Sequence, residues 1–449
     1  MTRVLPHDWK LMFGLGAGAM LLGCSSAAPD DPDLGSTASA ATAVGGHLGG
    51  ISDADFSTAQ ANFNQTEAIG DGVGPIFNDV ACGACHSLGA IGGSGEQIER
   101  RFGKFVNGVF NSLASEGGSL RQLKSLGSFT GANGQACNVP VEHEPSDATV
   151  HNVGRLTTPL FGLGLVDAMP DAFFRNLVAN EPAAVRGTVN TAALSLPNPV
   201  DTSQAIGTVR VARFGWKADT ANLADFAAGA YQNEMGITTQ HCFKGTSVIA
   251  FTAESKPNGV AVPPGCDDLA PPAPAGVPAG TDDAVGACAA GQTEIQDDVQ
   301  NFITFMTFLA PAPRDLSDAI AINAGAPVFS RIGCNGCHVT TTFTTPNPAP
   351  NGVPGGFAFN PYSDFAVHDM GTLGDQIGQD GDSVARTRQM RTAPLWGIRF
   401  RNHLLHDGRT PSIPDAVAAH DGQGKAAATA FAALSAADQH NVVEFVLSL

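Results

Sequence analysis

Two short runs of the sequence, residues 82–86 and 334–338, carry the pattern Cys-X-X-Cys-His. In this pattern the two thiols can form thioether bonds to the vinyl groups of a haem, and the histidine becomes an axial ligand of the iron. A zinc knuckle or a redox-active cysteine pair is the alternative interpretation. We expect two covalently bound haem c groups, held by Cys82, Cys85, His86, Cys334, Cys337 and His338.

The segments that precede the two motifs resemble each other. Residues 75–81 and 327–333 share a proline, a phenylalanine and an aliphatic residue at the same offsets. Such a repeat indicates one structural unit used twice, with a short helix that brings apolar side chains to the cofactor just before the attachment turn. We therefore expect two cytochrome-c-like domains.

The amino-terminal segment has the pattern of an export signal. Arg3 and Lys10 flank an apolar run at residues 11–22, which is too short to span a membrane. The run leads to Gly23 and Cys24, as in bacterial lipoproteins whose cysteine is lipidated; a signal peptide cleaved near residue 28 is the alternative. We expect an exported protein on the periplasmic side of the outer membrane or on the cell surface, attached to the membrane through lipid on Cys24.

The charge balance narrows the set of partners. The chain has 24 Lys and Arg against 42 Asp and Glu, a formal net charge of −18. An acidic protein repels the phosphate backbone, so we expect no nucleic-acid partner. The same charge would attract a basic electron-carrier protein, or it serves only solubility.

Helix signals dominate the rest of the chain, and we expect an all-α fold. Ser52 is placed to cap a helix that runs to about residue 68, and Ser435 to cap a carboxy-terminal helix. Residues 223–235 and 297–309 have apolar residues at helical spacing. Strand signals are scarce, and residues 340–345 are the β-rich run next to a haem motif.

The remaining cysteines and the loop composition complete the domain prediction. Besides Cys24 and the haem cysteines, four cysteines are left, an even number that suggests two disulfides of open pairing: Cys137, Cys242, Cys266 and Cys288. The predicted organisation is a signal peptide (1–24), a flexible tether (25–51), an N-terminal haem domain (52–313) with long loops and a disulfide-pinned insertion at about 240–290, and a C-terminal haem domain (317–449).

Several strings outside the two motifs match a known family. They lie at residues 74–78, 159–165, 213–218, 233–238, 368–371, 394–397 and 405–409. Taken together they resemble the bacterial di-haem cytochrome c peroxidase superfamily. The match is to its di-haem oxidoreductase branch, whose members are often labelled thiol oxidoreductases.

The resemblance implies that the two irons have unequal roles. A haem iron with two protein ligands transfers electrons, whereas an open iron can bind peroxide or oxygen. His420 stands where the relatives supply an axial methionine to the C-terminal haem, with His406 and His368 as competing donors beside aspartates. For the N-terminal haem, His151 lies in the interval where the relatives place a mobile distal histidine. We expect that iron to be open or weakly capped; His143 and Met169 are further donors in range.

The resemblance also assigns residues around the irons. Trp216 corresponds to a tryptophan found between the two haems, and Glu234 to a carboxyl that serves as general acid or base. The alternatives are a buried structural tryptophan and a surface carboxylate at a helix end. Relatives also carry a calcium ion between the domains, for which no residue here is assigned. Arginine guanidinium groups can bind the carboxylates of haem propionates, and the candidates for this role are Arg155, Arg391 and Arg409.

These features favour an enzyme that reduces peroxide, or another small oxidant, at the N-terminal haem. Its electrons would come from a small soluble carrier, a cytochrome or a cupredoxin, and enter through the C-terminal haem. The alternatives are an electron-transfer di-haem cytochrome without a substrate and a haem oxidase or oxygenase acting on an organic substrate. The spare cysteines lack a Cys-X-X-Cys spacing, which disfavours thiol exchange.

Overall fold

The computed structural model describes residues 43–68, 71–131, 134–196, 205–237 and 298–449, together with Cys266 and short strands between residues 239 and 284. The predicted signal peptide with Cys24, most of the tether and most of the insertion at 240–290 lie outside the described residues. Among the helices that are described, none has both the length and the apolar character needed to cross a membrane.

Helices form the two ends of the described chain and the surroundings of both motifs. Numbered in chain order, they are α1 (Asp53–Phe63), α2 (Cys82–Cys85), α3 (Leu163–Asp167), α4 (Asp171–Ala179), α5 (Leu223–Met235), α6 (Asp298–Phe308), α7 (Ala319–Arg331), α8 (Val384–Thr387), α9 (Ile413–Ala418), α10 (Lys425–Ala432) and α11 (Ala436–Ser448).

Two of the longer helices, α1 and α11, begin where the capping residues predict. Ser52 accepts a hydrogen bond from the backbone N–H of Asp55 at 3.1 Å, which satisfies a free donor at the start of α1. Ser435 does the same for Asp438 at the start of α11, also at 3.1 Å. The bounds predicted for α5 are confirmed, and α6 lies within the predicted range. The first helix ends earlier than predicted, at Phe63.

Short strands lie between these helices. They are β1 (Ile76–Phe77), β2 (Ile98–Val106), β3 (Val109–Asn111), β4 (Ser119–Arg121), β5 (Lys124–Ser125), β6 (Gly127–Thr130), β7 (Ala136–Val139), β8 (Val150–Leu156), β9 (Thr191–Ala193), β10 (Val209–Val211), β11 (Thr239–Phe243), β12 (Thr246–Ile249), β13 (Asp283–Ala284), β14 (Phe343–Thr344), β15 (Ala358–Phe359), β16 (Val367–Asp369) and β17 (Gln389–Arg391).

The all-α prediction is wrong, because the fold is mixed, with 34% helix and 18% strand in several small antiparallel sheets. In the largest sheet of the described residues, β2 pairs antiparallel with each of three strands, β3, β4 and β8. Strand β2 reads Ile-Glu-Arg-Arg-Phe-Gly-Lys-Phe-Val, so it has no regular apolar alternation. Its pairing with β8 joins segments about fifty residues apart, which a search for local strand patterns does not detect.

Two apolar cores hold the elements together. In the larger core, α1, α5 and α6 pack together, with the rings of Phe63 and Phe305 at 4.7 Å between centroids. Residues 339–365, which belong to the predicted C-terminal domain, also pack into this core through Phe343. The smaller core lies between α7, α9 and α11. The domain boundary at residues 313–317 stays a prediction.

One disulfide joins Cys137 on β7 to Cys266, across a sequence separation of 129 residues. It ties the hairpin formed by β6 and β7 to the predicted insertion. The side chain of Cys242 and all of Cys288 lie outside the described residues. The second predicted disulfide therefore stays a prediction.

Candidate active site

The first Cys-X-X-Cys-His motif lines a cavity of about 510 Å³, called here the first cavity. Helix α2 is a single turn that places Cys82 and Cys85 on this cavity, and His86 follows at its end. The Nδ1 atom of His86 lies 3.3 Å from the carbonyl oxygen of Gly93. Burial lowers the pKa of His86 to about 4 although backbone groups of Gly93 and Thr158 bond to the ring, so the imidazole is in the neutral form that can bind a metal.

The second motif lines a separate cavity of about 270 Å³, called here the second cavity. His338 has its Nδ1 atom 2.9 Å from the carbonyl oxygen of Tyr362, which leaves Nε2 available. His420 lines the same cavity, and its Nδ1 atom lies 2.8 Å from the carbonyl oxygen of Ala416. Burial lowers the pKa of His338 to about 4 and also lowers that of His420. His338 and His420 are thus neutral imidazoles, each with one ring nitrogen that has no hydrogen-bond partner among the described residues. Burial likewise lowers the pKa of a third histidine at this cavity, His406, to about 4.

Two further histidines line the second cavity in different settings. His368 has its Nε2 atom 2.9 Å from Asp364 and its Nδ1 atom 3.6 Å from the sulfur of Cys337. Burial lowers the pKa of His368, but the hydrogen bonds and charges of Asp364 and Cys337 together outweigh burial and raise this pKa to about 11. The donors of Cys337, Asp364 and His368 lie within 4.8 Å of one another, as in a metal site, yet Cys337 is the predicted attachment thiol. His406 instead packs its ring 6.2 Å from that of Trp216.

Trp216 lines both the first and the second cavity. Its side chain is largely buried, and its Nε1–H donates to the carbonyl oxygen of Leu156 at 2.8 Å. Its own carbonyl oxygen accepts a hydrogen bond from the backbone N–H of Arg391 at 2.8 Å. Leu156 therefore holds the indole, and Arg391, from the other half of the chain, holds the backbone of Trp216.

Two carboxyl groups line the first cavity, Glu99 on β2 and Glu234 on α5. Asn78 donates to Glu234 at 2.8 Å, and Arg101 donates to both oxygens of Glu99, at 2.6 and 3.2 Å. Burial and the neighbouring Glu99 raise the pKa of Glu234. Burial acts against Glu99 as well, but Arg101 outweighs it and lowers the pKa of Glu99. One carboxyl is thus neutral and the other ionised.

The two cavities differ in their candidate second ligands. Among the described residues that line the first cavity, His86 is the only imidazole. His151 has a side chain that is 57% exposed, forms an ion pair with Glu144 at 3.0 Å and does not line this cavity. His143 is exposed, and Met169 is buried in the larger core. The second cavity has His420, and the first has no counterpart among these residues.

A family model described as "Di-haem oxidoreductase, putative peroxidase" matches residues 136–449. This match covers well over half of the chain and includes Trp216, Glu234, the second motif and His420. The chain belongs to the di-haem oxidoreductase family. Membership implies haem cofactors and an oxidoreductase activity. The first motif, at residues 82–86, precedes the matched region.

Other comparisons add little to this assignment. A comparison with curated proteins finds no match. Among solved structures, hydrazine synthase from Kuenenia stuttgartiensis, pressurized with xenon, matches at 16% sequence identity with a TM-score of 0.26. The match covers 37% of this chain and 64% of the hydrazine synthase chain. A TM-score this low does not indicate a shared overall fold.

The donor sets of both cavities in this di-haem oxidoreductase fit haem. Each cavity offers two thiols and the neutral imidazole of its Cys-X-X-Cys-His motif. Arg155 adds a buried Nη2 atom that has no hydrogen-bond partner among the described residues, while its Nε atom donates to Asp375 at 2.7 Å. Because Arg155 lines the first cavity, this unpaired donor suits a haem propionate.

The arginines at the second cavity differ in part from the prediction. Arg391 lines this cavity, with its Nε atom donating to the carbonyl oxygen of Gly215 at 2.6 Å. Arg409 lines neither haem cavity and pairs with Asp407 at 2.6 Å. Arg401, which sequence reasoning missed, lines the second cavity and has a buried Nε atom without a partner among the described residues. Arg401 is thus better placed for a propionate than Arg409.

Lys217, next to Trp216, connects the two halves of the di-haem oxidoreductase. Its ammonium group contacts Asp375 at 2.6 Å and donates to the carbonyl oxygens of Thr387 and Gln389, both at 2.7 Å. One carboxylate and two carbonyl oxygens form the kind of donor set that a calcium ion takes. Here the lysine occupies it, so these residues do not fit calcium.

We predict that Lys217→Met destabilises the protein by about 3–5 kcal/mol, because it leaves the buried Asp375 and two carbonyl groups without their cation. Denaturant unfolding of the haem-loaded protein would measure this loss. Lys104→Met is the matched control, since Lys104 pairs with the half-exposed Asp147 and its loss should destabilise the protein much less. Equal losses in the two variants would contradict the structural role of Lys217.

Proposed function

We propose that this di-haem oxidoreductase carries two thioether-linked haem c groups and reduces peroxide at the first haem with electrons that enter at the second. The difference between the cavities supports this assignment. The second cavity supplies His338 and His420, which would make a six-coordinate iron suited to electron transfer. The first cavity supplies His86 alone and, in place of a second imidazole, the pair of Glu99 and Glu234.

The haem, when bound, supplies the redox chemistry, and the protein directs protons and electrons around it. Reduction of one peroxide molecule takes two electrons and two protons and yields two molecules of water. Glu234 would take the proton from one peroxide oxygen and return it to the other, which then leaves as water. Trp216, which lines both cavities, would shorten the gap that electrons cross between the two haems.

The proposal extends to partners and location. The net charge of −18 suits a small basic carrier, a cytochrome or a cupredoxin, as the electron donor. Export through the amino-terminal signal would place the protein on the periplasmic side of the outer membrane or on the cell surface, with lipid on Cys24 as its anchor. These assignments come from the sequence and belong to the proposal.

The proposal predicts one high-spin and one low-spin haem in the ferric protein. Electron paramagnetic resonance would count the two forms, and cyanide should convert only the high-spin one, because the first iron has an open position. The protein should also consume hydrogen peroxide when a small reduced cytochrome is supplied. Two low-spin haems that ignore cyanide, with no consumption of peroxide, would identify an electron-transfer cytochrome instead.

A further inference from the structure

Glu99 on β2 and Glu234 on α5 both line the wall of the first cavity, where Arg101 donates to the first carboxyl group and Asn78 to the second, and the two carboxyl groups lie within hydrogen-bonding contact of each other. An ionised carboxyl group can only accept hydrogen bonds, so two carboxyl groups can bond to each other only when one of them carries a proton. Both side chains line the first cavity, which also contains His86. A single proton is therefore held between β2 and α5 on the wall of this cavity.

Charged and polar neighbours from several elements fix where that proton resides. On β2, Arg101 donates hydrogen bonds to both oxygens of Glu99. Arg155 on β8 adds a second positive charge close to Glu99. On the loop after β1, Asn78 donates to Glu234. Asp219 faces Arg101 from the loop before α5. The two cations favour a negative charge on Glu99, so the proton resides mainly on Glu234.

A third cavity, of about 680 Å³ and mostly polar lining, adjoins this pair; we call it the polar cavity. It shares a set of wall residues with the first cavity, so the same side chains border both spaces. The shared residues are Arg101, Arg155, Asp219, Asn233 and Gln379. Arg101 contacts Glu99 and also lines the polar cavity, so this guanidinium group lies between the carboxyl pair and the polar cavity.

We propose that Glu99 and Glu234 hold one proton in common and exchange it with the polar cavity, so that Glu234 can both accept a proton from a bound substrate and return it. A neutral Glu234 can take a second proton only by passing its own to Glu99 along their hydrogen bond. Glu99 acts through Glu234 and is a positioning residue. The substrate part of this proposal rests on the proposed function, whereas the shared proton does not.

Infrared titration of the haem-loaded protein tests the shared proton, with the Glu234→Gln spectrum subtracted to isolate one neutral carboxyl band. Glu99→Gln removes the negative neighbour, so this band should be lost at a pH lower by about 1–3 units. Arg101→Gln removes the positive neighbour and should move the loss to higher pH. Glu99→Asp keeps the charge and should stay near the wild type. A band that does not move in Glu99→Gln or in Arg101→Gln would overturn the proposal.

Kinetics separate this proposal from the proposed function. If Glu99 works through Glu234, the double variant Glu99→Gln with Glu234→Gln should react with peroxide no more slowly than Glu234→Gln alone. Additive losses would show that Glu99 acts independently and would overturn the relay. A protein that consumes no peroxide but shows the shifted infrared titrations would refute the proposed function and leave the shared proton standing.

Discussion

Glu234→Gln is expected to slow the reaction with hydrogen peroxide by roughly 10²–10⁴-fold, the usual contribution of a positioned acid or base. Glutamine keeps the size of the side chain and can still accept a hydrogen bond from Asn78. It does not titrate, so it cannot take up or release a proton. Stopped-flow mixing with peroxide, followed at the haem absorption bands, would measure the rate.

The control for this variant is Glu96→Gln, which changes an exposed glutamate that contacts Asn402 and does not line the first cavity. It should react with peroxide at the wild-type rate. Cyanide affinity and the unfolding midpoint should be close to wild type in both variants, which separates a proton-transfer defect from a damaged fold. A Glu234→Gln protein that reacts at the wild-type rate would show that the acid or base lies elsewhere.

The local features of this fold could be predicted from the sequence because their causes are local. Ser52 and Ser435 cap helices through bonds to residues three positions later, and each haem motif places its donors within one turn of chain. The sheet around β2 could not be predicted, since its partner β8 is distant and its charged residues hide the strand pattern. The importance of Glu99 could not be predicted for the same reason, because Glu99 comes close to Glu234 on α5 only through the position of β2 in the sheet.

The arginines show why residue type alone does not identify a propionate ligand. Arg409 has an aspartate two residues earlier, and that neighbour occupies its guanidinium group. Arg401 has no such acid partner, and the turn that follows Ile398 directs it to the second cavity. The structural role of Lys217 likewise depends on its contacts with Asp375, Thr387 and Gln389, which lie far along the chain. Contacts of this kind require the tertiary structure.

The exposed position of His151 also changes how the first iron is understood. The side chain of His151 pairs with Glu144 and does not line the first cavity. The wall of that cavity offers carboxyl and amide groups where the resemblance predicted an imidazole. Under the proposed function, a pocket of this composition would bind a small oxidant without first displacing a strong ligand. We therefore expect the first haem to react with peroxide without a preceding change of ligand.

His420→Ala is expected to convert the second haem from low spin to high spin, because His420 lines this cavity with a neutral ring whose Nε2 atom has no hydrogen-bond partner among the described residues. His368 is bonded at both ring nitrogens, whereas His406, whose ring packs against Trp216, is the competing donor. Electron paramagnetic resonance of the ferric protein would show the loss of the low-spin signal. His151→Ala is the matched control and should leave the spectrum unchanged, since that side chain is exposed.

His420→Met tests the same position by keeping an axial ligand and replacing its nitrogen donor with a sulfur donor. Axial ligands set haem potentials over a range of about 0.8 V, and a thioether raises the potential relative to a second imidazole. The second haem should stay low spin, and its potential in a redox titration should rise. Electrons would then pass less readily to the first haem, so peroxide turnover should fall although Glu99 and Glu234 are intact. If the low-spin signal survives in His420→Ala and is lost in His406→Ala, the sixth ligand is His406.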